Sequence, residues 1–189
     1  MRKKKDQGKN LKVVLRIIAV ILIMILSFMI YNKNKGEDNM TYTIKTNKGN
    51  MKIELYEQKA PITTQNFKDL VNENFYDGIL FHRVEPGFVI QVGYPQTKTL
   101  PLDDPRIGTG GSGKTIPLEV SPELKHNSSG VLSMARTMDP NSATSQFFIT
   151  LDATPHLDMQ YAVFGKVIKG LDVVKKIEVG DKIITITKD

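Results

Sequence analysis

Cysteine is absent from all 189 residues, which excludes a disulfide framework, a thiolate nucleophile and a Cys-based zinc site together. The absence leaves the redox compartment open, because a chain without thiols is tolerated on either side of a membrane. Histidine is scarce, with only His82, His126 and His156. No two of them stand at i, i+4 and no carboxylate joins them in a ligand pattern, so no metal and no cofactor are expected. There is no G-x-S-x-G elbow, although counting residues does not by itself exclude a Ser-His-Asp arrangement. No internal repeat is visible. A surplus of positive charge on the folded part is also missing. Residues 1–39 carry nine Lys/Arg against Asp6, Glu37 and Asp38, which accounts for the whole net charge of +6. Residues 40–189 hold 17 residues of each sign. A nucleic-acid partner needs a cationic surface on the fold to displace counterions, and none is expected here.

What is present begins with one long apolar run. Val13–Tyr31 reads VVLRIIAVILIMILSFMIY, with Arg16 its single charge. As a helix it would span roughly 28 Å, near the ~30 Å of a bilayer core. Arg2–Lys12 form a basic flank ahead of it, and no small-residue cleavage pair follows at Ser27–Tyr31. The pattern predicts a basic cytoplasmic tail (1–12) and an uncleaved transmembrane signal-anchor helix (13–31). A flexible polar spacer (32–40) would then lead to one domain (41–189). The flank charges place the N-terminus in the cytoplasm and the domain outside, giving a single-pass cell-membrane protein.

Within 41–189 the signals are short strands and turns. Tyr42–Thr46 and Met51–Tyr56 flank Asn47-Lys48-Gly49-Asn50 and predict a hairpin. Pro61 opens a helical stretch in which Phe67, Leu70 and Val71 share a face, with Thr63 or Thr64 as candidate caps. Strands are expected at Ile79–Val84 and Phe88–Val92 around the turn Glu85-Pro86-Gly87, and a long Gly/Pro-rich loop runs from Gly93 to about Lys114. Further strands are expected at Val131–Ala135, Gln146–Thr150, Ala162–Val167 and Ile183–Thr187. A second helix is expected at Leu171–Ile177, with Leu171, Val174 and Ile177 on one face. Many short strands with two lone helices predict a mostly β fold, a closed antiparallel barrel rather than βαβ units.

Gly108–Thr115, GTGGSGKT, satisfies the phosphate-loop pattern G-x-x-x-x-G-K-[ST]. That loop binds phosphate only between a buried strand and a helix that begins at the Lys. Asp103-Asp104-Pro105-Arg106 is no buried strand, and Pro117 follows with no helical period after it. A glycine-rich surface loop is the better reading, and no nucleotide is expected.

Four stretches in order resemble the cyclophilin family. Phe81-His82-Arg83-Val84-Glu85-Pro86-Gly87-Phe88-Val89-Ile90-Gln91 is similar to its F-H-R-x-x-x-G-F-x-x-Q, and Gly108–Gly113 to its G-T-G-G-x-G loop. Gly130–Arg136 (GVLSMAR) is similar to G-x-x-x-M-A, and Ser145–Thr150 (SQFFIT) to S-Q-F-F-I. Leu157-Asp158 and Val163–Val167 follow in place. The likeness covers roughly Tyr42–Thr187, and the anchored layout points to a bacterial, membrane-anchored member.

The resemblance implies an eight-stranded antiparallel barrel capped by two helices, and peptidyl-prolyl cis–trans isomerase activity without a cofactor. It implies that Arg83, Phe88 and Gln91 are catalytic, with Arg83 donating to the prolyl nitrogen of the twisted amide. It implies substrate-binding roles for Val89, Ala135, Arg136, Gln146, Phe148, His156, Leu157 and Tyr161. Strand alternation alone would put Val89 and Gln91 on one face and Phe88 on the other, so only the resemblance gathers all three. The implied partners are proline-containing segments of unfolded or exported proteins, met by a monomeric catalytic domain. The alternative is a tethered peptide-binding chaperone with little turnover. Three departures stand out. His156 occupies a position where many eukaryotic members carry the Trp that contacts cyclosporin, which implies reduced sensitivity to that drug. Tyr161 replaces a common pocket His. Gly93-Tyr94-Pro95 replaces G-G-D-P at the start of a lengthened loop, Val92–Gly108.

Overall fold

The computed structural model describes Leu15, residues 17–27, Met29 and Met40–Asp189. The chain divides into two units, Met1–Asp38 and Asn39–Asp189. In the first, the described residues are helical and their side chains exposed. Among the described residues no helix is long and apolar enough to cross a membrane. The expected single-pass topology with an extracytoplasmic domain is therefore corrected. The spanning element it requires is not found among the described residues. The basic tail 1–12 and the spacer as far as residue 39 lie outside the described residues.

The second unit opens with the expected hairpin, β1 (Thr41–Thr46) and β2 (Gly49–Leu55). Alternation sends Tyr42, Ile44, Met51, Ile53 and Leu55 inward, all nearly or fully buried. Helix α1 (Pro61–Asn72) follows and buries Phe67, Leu70 and Val71 against the sheet. Phe67 is the hub of an aromatic cluster, with ring centroids 5.4 Å from Tyr76, 5.5 Å from Phe164 and 5.7 Å from Phe147.

The helix start differs from expectation. Ala60 is the N-cap and offers no side-chain acceptor, while the Thr64 hydroxyl turns back to donate to the Ala60 carbonyl at 2.8 Å. The orphan amides are met from far along the chain. Glu119 accepts the Ile62 N–H at 3.1 Å and the Thr63 N–H at 2.8 Å through its two carboxylate oxygens. A carboxylate on the positive end of a helix satisfies two donors and interacts favourably with the dipole. Glu119→Ala is expected to cost about 1 kcal/mol, lowering the melting temperature by roughly 2–4 °C in a thermal melt. An unchanged melt would show that water replaces the cap without loss.

The remaining elements are β3 (Arg83–Glu85), β4 (Val89–Val92), β5 (Val131–Met134), β6 (Phe147–Thr150), β7 (Val163–Lys169), α2 (Leu171–Val174) and β8 (Ile183–Lys188). All eight strands join one antiparallel sheet in the order β3-β4-β6-β5-β7-β2-β1-β8. The barrel expected to be closed is instead a curled sheet whose edge strands share no ladder. Its rims meet only through the bridge Leu80–Lys182 and backbone bonds such as Phe81 N–H to Asp181 O at 2.7 Å. Residues 79–81, expected within a strand, are spent on this seam, and β3 is three residues long. Helix α2 ends at Val174, short of the expected Ile177, and Leu171 is half-exposed. Val173, Val174 and Ile177 fill the core in its place.

Candidate active site

Register builds the site. Arg83 lies opposite Gln91 in the β3–β4 pair, and Gln91 opposite Phe148 in the β4–β6 pair. Ser133 lies opposite Phe148 in β5–β6. One row across four strands thus carries a guanidinium, an amide, an aromatic ring and a hydroxyl. Phe88 is not in the strand at all. The turn Glu85–Phe88 closes with a bond from the Phe88 N–H to the Glu85 carbonyl at 2.9 Å, and Gly87 supplies its φ of 71°. Alternation therefore does not apply to Phe88, which swings to the same side as Val89 and Gln91.

These residues line a cavity of about 240 Å³ with Arg83, Phe88, Val89, Gln91, Ala135, Arg136, Phe148, Leu157 and Tyr161 at its walls. Nine of the eleven residues singled out in the sequence meet there. Gln146 stands just behind, joined to Gln91, and His156 does not line the cavity. The His156 ring stacks on Phe88 at 5.6 Å and 19° and backs that wall. An adjoining cavity of about 280 Å³ shares Gln91, Ala135 and Arg136 and is lined further by Gln146, by the glycine loop with Thr115, and by Thr137, Ser142 and Thr144.

Arg83 is half-exposed and held on three sides. Its NH1 donates to Gln91 Oε1 at 3.3 Å, its Nε lies 3.5 Å from Glu85 Oε1, and its Cζ stands 5.7 Å from the Phe88 ring centroid. Arg136 faces it across the cavity mouth. Its Cζ lies 4.7 Å over the Tyr161 ring, and its Nε donates to the Gln160 carbonyl at 2.9 Å. The Tyr161 ring meets Phe148 edge-on at 5.8 Å.

A second layer was not legible in the sequence. His126, fully buried, stacks on Phe148 at 6.0 Å and 19°. Its Nδ1 stands 3.0 Å from Asp158 Oδ1 and its Nε2 3.0 Å from Ser133 Oγ. This is a Ser-His-Asp order, but Ser133 is fully buried, so no substrate reaches its hydroxyl. The trio instead clamps Phe148 and, through Asp158, the neighbouring Leu157. Only the residue types were visible beforehand, since Ser133 and Asp158 lie 7 and 32 positions from His126. Among the described residues no group of three or more His, Asp or Glu could hold a metal.

Burial is the largest influence on His126 and His82, and it pushes both below the ordinary imidazole value of 6.5. For Asp158, burial works upward, but the hydrogen bonds from the His126 backbone and ring outweigh it and hold the carboxyl below its ordinary range. An imidazole depressed in the folded state takes its proton later than the unfolded chain does. The unfolded state then binds more protons below pH 6.5, so stability falls as pH drops from 6.5 toward the folded values. Carboxylates held low, Asp158 among them and Asp104 down to about 2 beside Arg106, extend the loss into a second window below 3.8. Thermal melts are expected to be flat between pH 7 and 8 and to fall steadily below ~6.5. A melting temperature that rises from pH 7 to 5 would contradict the burial of both rings.

A curled eight-stranded antiparallel sheet with an arginine beside Phe88, Val89 and Phe148 in one cavity on β3, β4 and β6 defines a class, the cyclophilin-like isomerases. Residues 41–187 match the family described as cyclophilin type peptidyl-prolyl cis-trans isomerase/CLD, and the chain belongs to that family and is such an isomerase. A peptidyl-prolyl cis-trans isomerase of Acinetobacter baylyi is 47% identical over 144 residues, covering 74% of this chain and 72% of the relative. The human peptidyl-prolyl cis-trans isomerase-like 3 is 45% identical over 142 residues, covering 74% and 82%. Among solved structures, a cyclophilin type isomerase of Cryptosporidium parvum superposes with a TM-score of 0.71 at 30% identity, covering 80% of this chain and 98% of that one. The same protein in the presence of the dipeptide Ala-Pro gives 0.69 at 31% identity, covering 79% and 98%. A bacterial and an animal protein thus stand at similar identity, so neither a bacterial origin nor membrane anchoring follows from kinship, and the localisation correction stands on this ground too.

Proposed function

We propose that the 240 Å³ cavity takes the proline ring of an X–Pro segment in an unfolded or extended polypeptide, and that Arg83 lowers the barrier to rotation. The observation that carries this reading is the row Arg83–Gln91–Phe148, which holds a guanidinium at the rim of an apolar floor. Rotation about X–Pro is opposed by amide resonance worth about 18–20 kcal/mol. No covalent step is needed, because a site that prefers the twisted amide to both planar forms lowers that barrier directly. Twisting returns a lone pair to the prolyl nitrogen, and a guanidinium N–H donates to it. Phe88, Val89, Phe148 and Leu157 grip the ring, while Gln91 holds the carbonyl beside it. Ala135 and the Arg136 backbone pair with the extended chain as an added strand. Support comes from the Cryptosporidium parvum relative, studied in the presence of Ala-Pro.

The test is a protease-coupled isomerisation assay on the full chain with an X–Pro tetrapeptide. Turnover well above the uncatalysed rate is expected. Peptide binding without turnover would replace this reading with a peptide-holding module.

A further inference from the structure

The lengthened loop that departs from the family pattern ends up behind the site, and its first residues are buried. Tyr94 is 3% exposed, although it begins a surface loop. Its carbonyl accepts the Thr97 hydroxyl at 2.8 Å, and the Tyr94 hydroxyl is spent locally on Gln96. The ring faces the glycine loop. A Cβ built on Gly110 would lie 2.9 Å from Tyr94 Cε2, so ring and loop backbone are already in contact. On its other side the ring meets His82 edge-on at 6.3 Å.

The loop that Tyr94 backs sets the polarity of a relay. Gln146 Nε2 donates to the Gly108 carbonyl at 2.9 Å and to the Gly110 carbonyl at 2.6 Å. Two acceptors demand the NH₂ end of the amide, which turns Gln146 Oε1 outward to accept from Gln91 Nε2 at 2.9 Å. Gln91 must then present Oε1 to Arg83 NH1. Each amide has one usable orientation only while both loop carbonyls stay in place. Without them Gln146 can flip, and a flipped relay would aim donors at a guanidinium.

We infer that Tyr94 is a positioning residue for Arg83, acting by bracing Gly108–Gly110 so that Gln146 and Gln91 hold the guanidinium in its working orientation. The inference rests on the isomerase reading above. The ring carries the role, because the hydroxyl bonds only within its own turn.

The experiment compares Tyr94→Ala, Tyr94→Phe and Gly110→Ala with the parent full chain, measuring kcat and KM on an X–Pro peptide and the NMR signals of the Gln146 side-chain amide. Tyr94→Ala and Gly110→Ala are expected to lower kcat roughly tenfold with KM within about twofold, the signature of misplacement rather than lost binding. Both should move the Gln146 amide signals. Tyr94→Phe should restore parent kcat and parent signals. In a Gln146→Ala background, Tyr94→Ala should add no further loss. Full kcat with unmoved amide signals in Tyr94→Ala, or losses that simply add to those of Gln146→Ala, would overturn the inference. Gly110→Ala carries the test if Tyr94→Ala does not fold. A parent without turnover would defeat the isomerase reading alone, and the amide signals would still decide the relay.

Discussion

Arg83→Ala is expected to lower kcat/KM for an X–Pro peptide by at least ~10-fold, about 1.4 kcal/mol of barrier, with the melting temperature nearly unchanged. The two halves of that expectation have separate causes. Stability is spared because the side chain is 44% exposed and its ion pair with Glu85 is a surface contact at 3.5 Å. Such pairs contribute little. Activity suffers because, among the described residues, no other cation stands where Arg83 does. Arg136 is occupied over Tyr161 and by the Gln160 carbonyl. Lysine should rescue poorly, since an ammonium lacks the planar fork that reaches Gln91 while lying beside Phe88. Activity of Arg83→Ala within twofold of the parent would remove Arg83 from the mechanism.

Gly93→Ala should be the most damaging single methyl in the loop region. Gly93 has φ of 103°, which L residues rarely adopt, and a Cβ there would lie 2.3 Å from the Ser145 carbonyl oxygen and 2.8 Å from the Gln146 Cα. The left-handed backbone costs roughly 1–2 kcal/mol, and forcing apart a packed backbone adds about 1–3. A loss near 3 kcal/mol corresponds to a fall of roughly 6–12 °C in melting temperature. Activity should decline below the melt as well. Gly93 O accepts the Ser145 hydroxyl at 2.7 Å, and Ser145 precedes Gln146, so the strain lands on the relay that aims Arg83. A variant that melts like the parent would mean that the chain ahead of β6 yields at Ser145 more easily than its full burial implies.

Much of the fold could be read from local pattern. Alternation in Tyr42–Thr46 and Met51–Tyr56 gave the hairpin, and Phe67, Leu70 and Val71 gave the inner face of α1, because these signals repeat within a few residues. The family resemblance gathered nine of the residues that line the cavity, including Phe88, which alternation had placed on the opposite face. What local pattern could not supply were partnerships across distance. Glu119 reaches the start of α1 from 56 residues away, and His126 finds Asp158 32 residues on. Residues 79–81 have strand composition but are drawn into the seam with 180–183, a choice made by where the sheet's two rims meet. The apolar run at 13–31 set the membrane expectation, but among the described residues no helix is long and apolar enough to cross a membrane.

The Glu119 cap also bears on the order in which the molecule assembles. The first turn of α1 has no acceptor of its own from Ala60, so its amides wait for a segment that is synthesised later. That segment is itself pinned elsewhere: the Ile116 N–H donates to Ala143 O at 2.8 Å, and the Leu118 N–H to Asn141 Oδ1 at 3.1 Å. Asn66, one turn into the helix, donates to the Thr144 carbonyl at 2.7 Å. The beginning of α1 is thus a keystone, completed only when residues 116–119 and 141–144 have both arrived. Ser142 and Thr144 from the same stretch also wall the 280 Å³ cavity, so the contacts that complete the helix start also shape that wall.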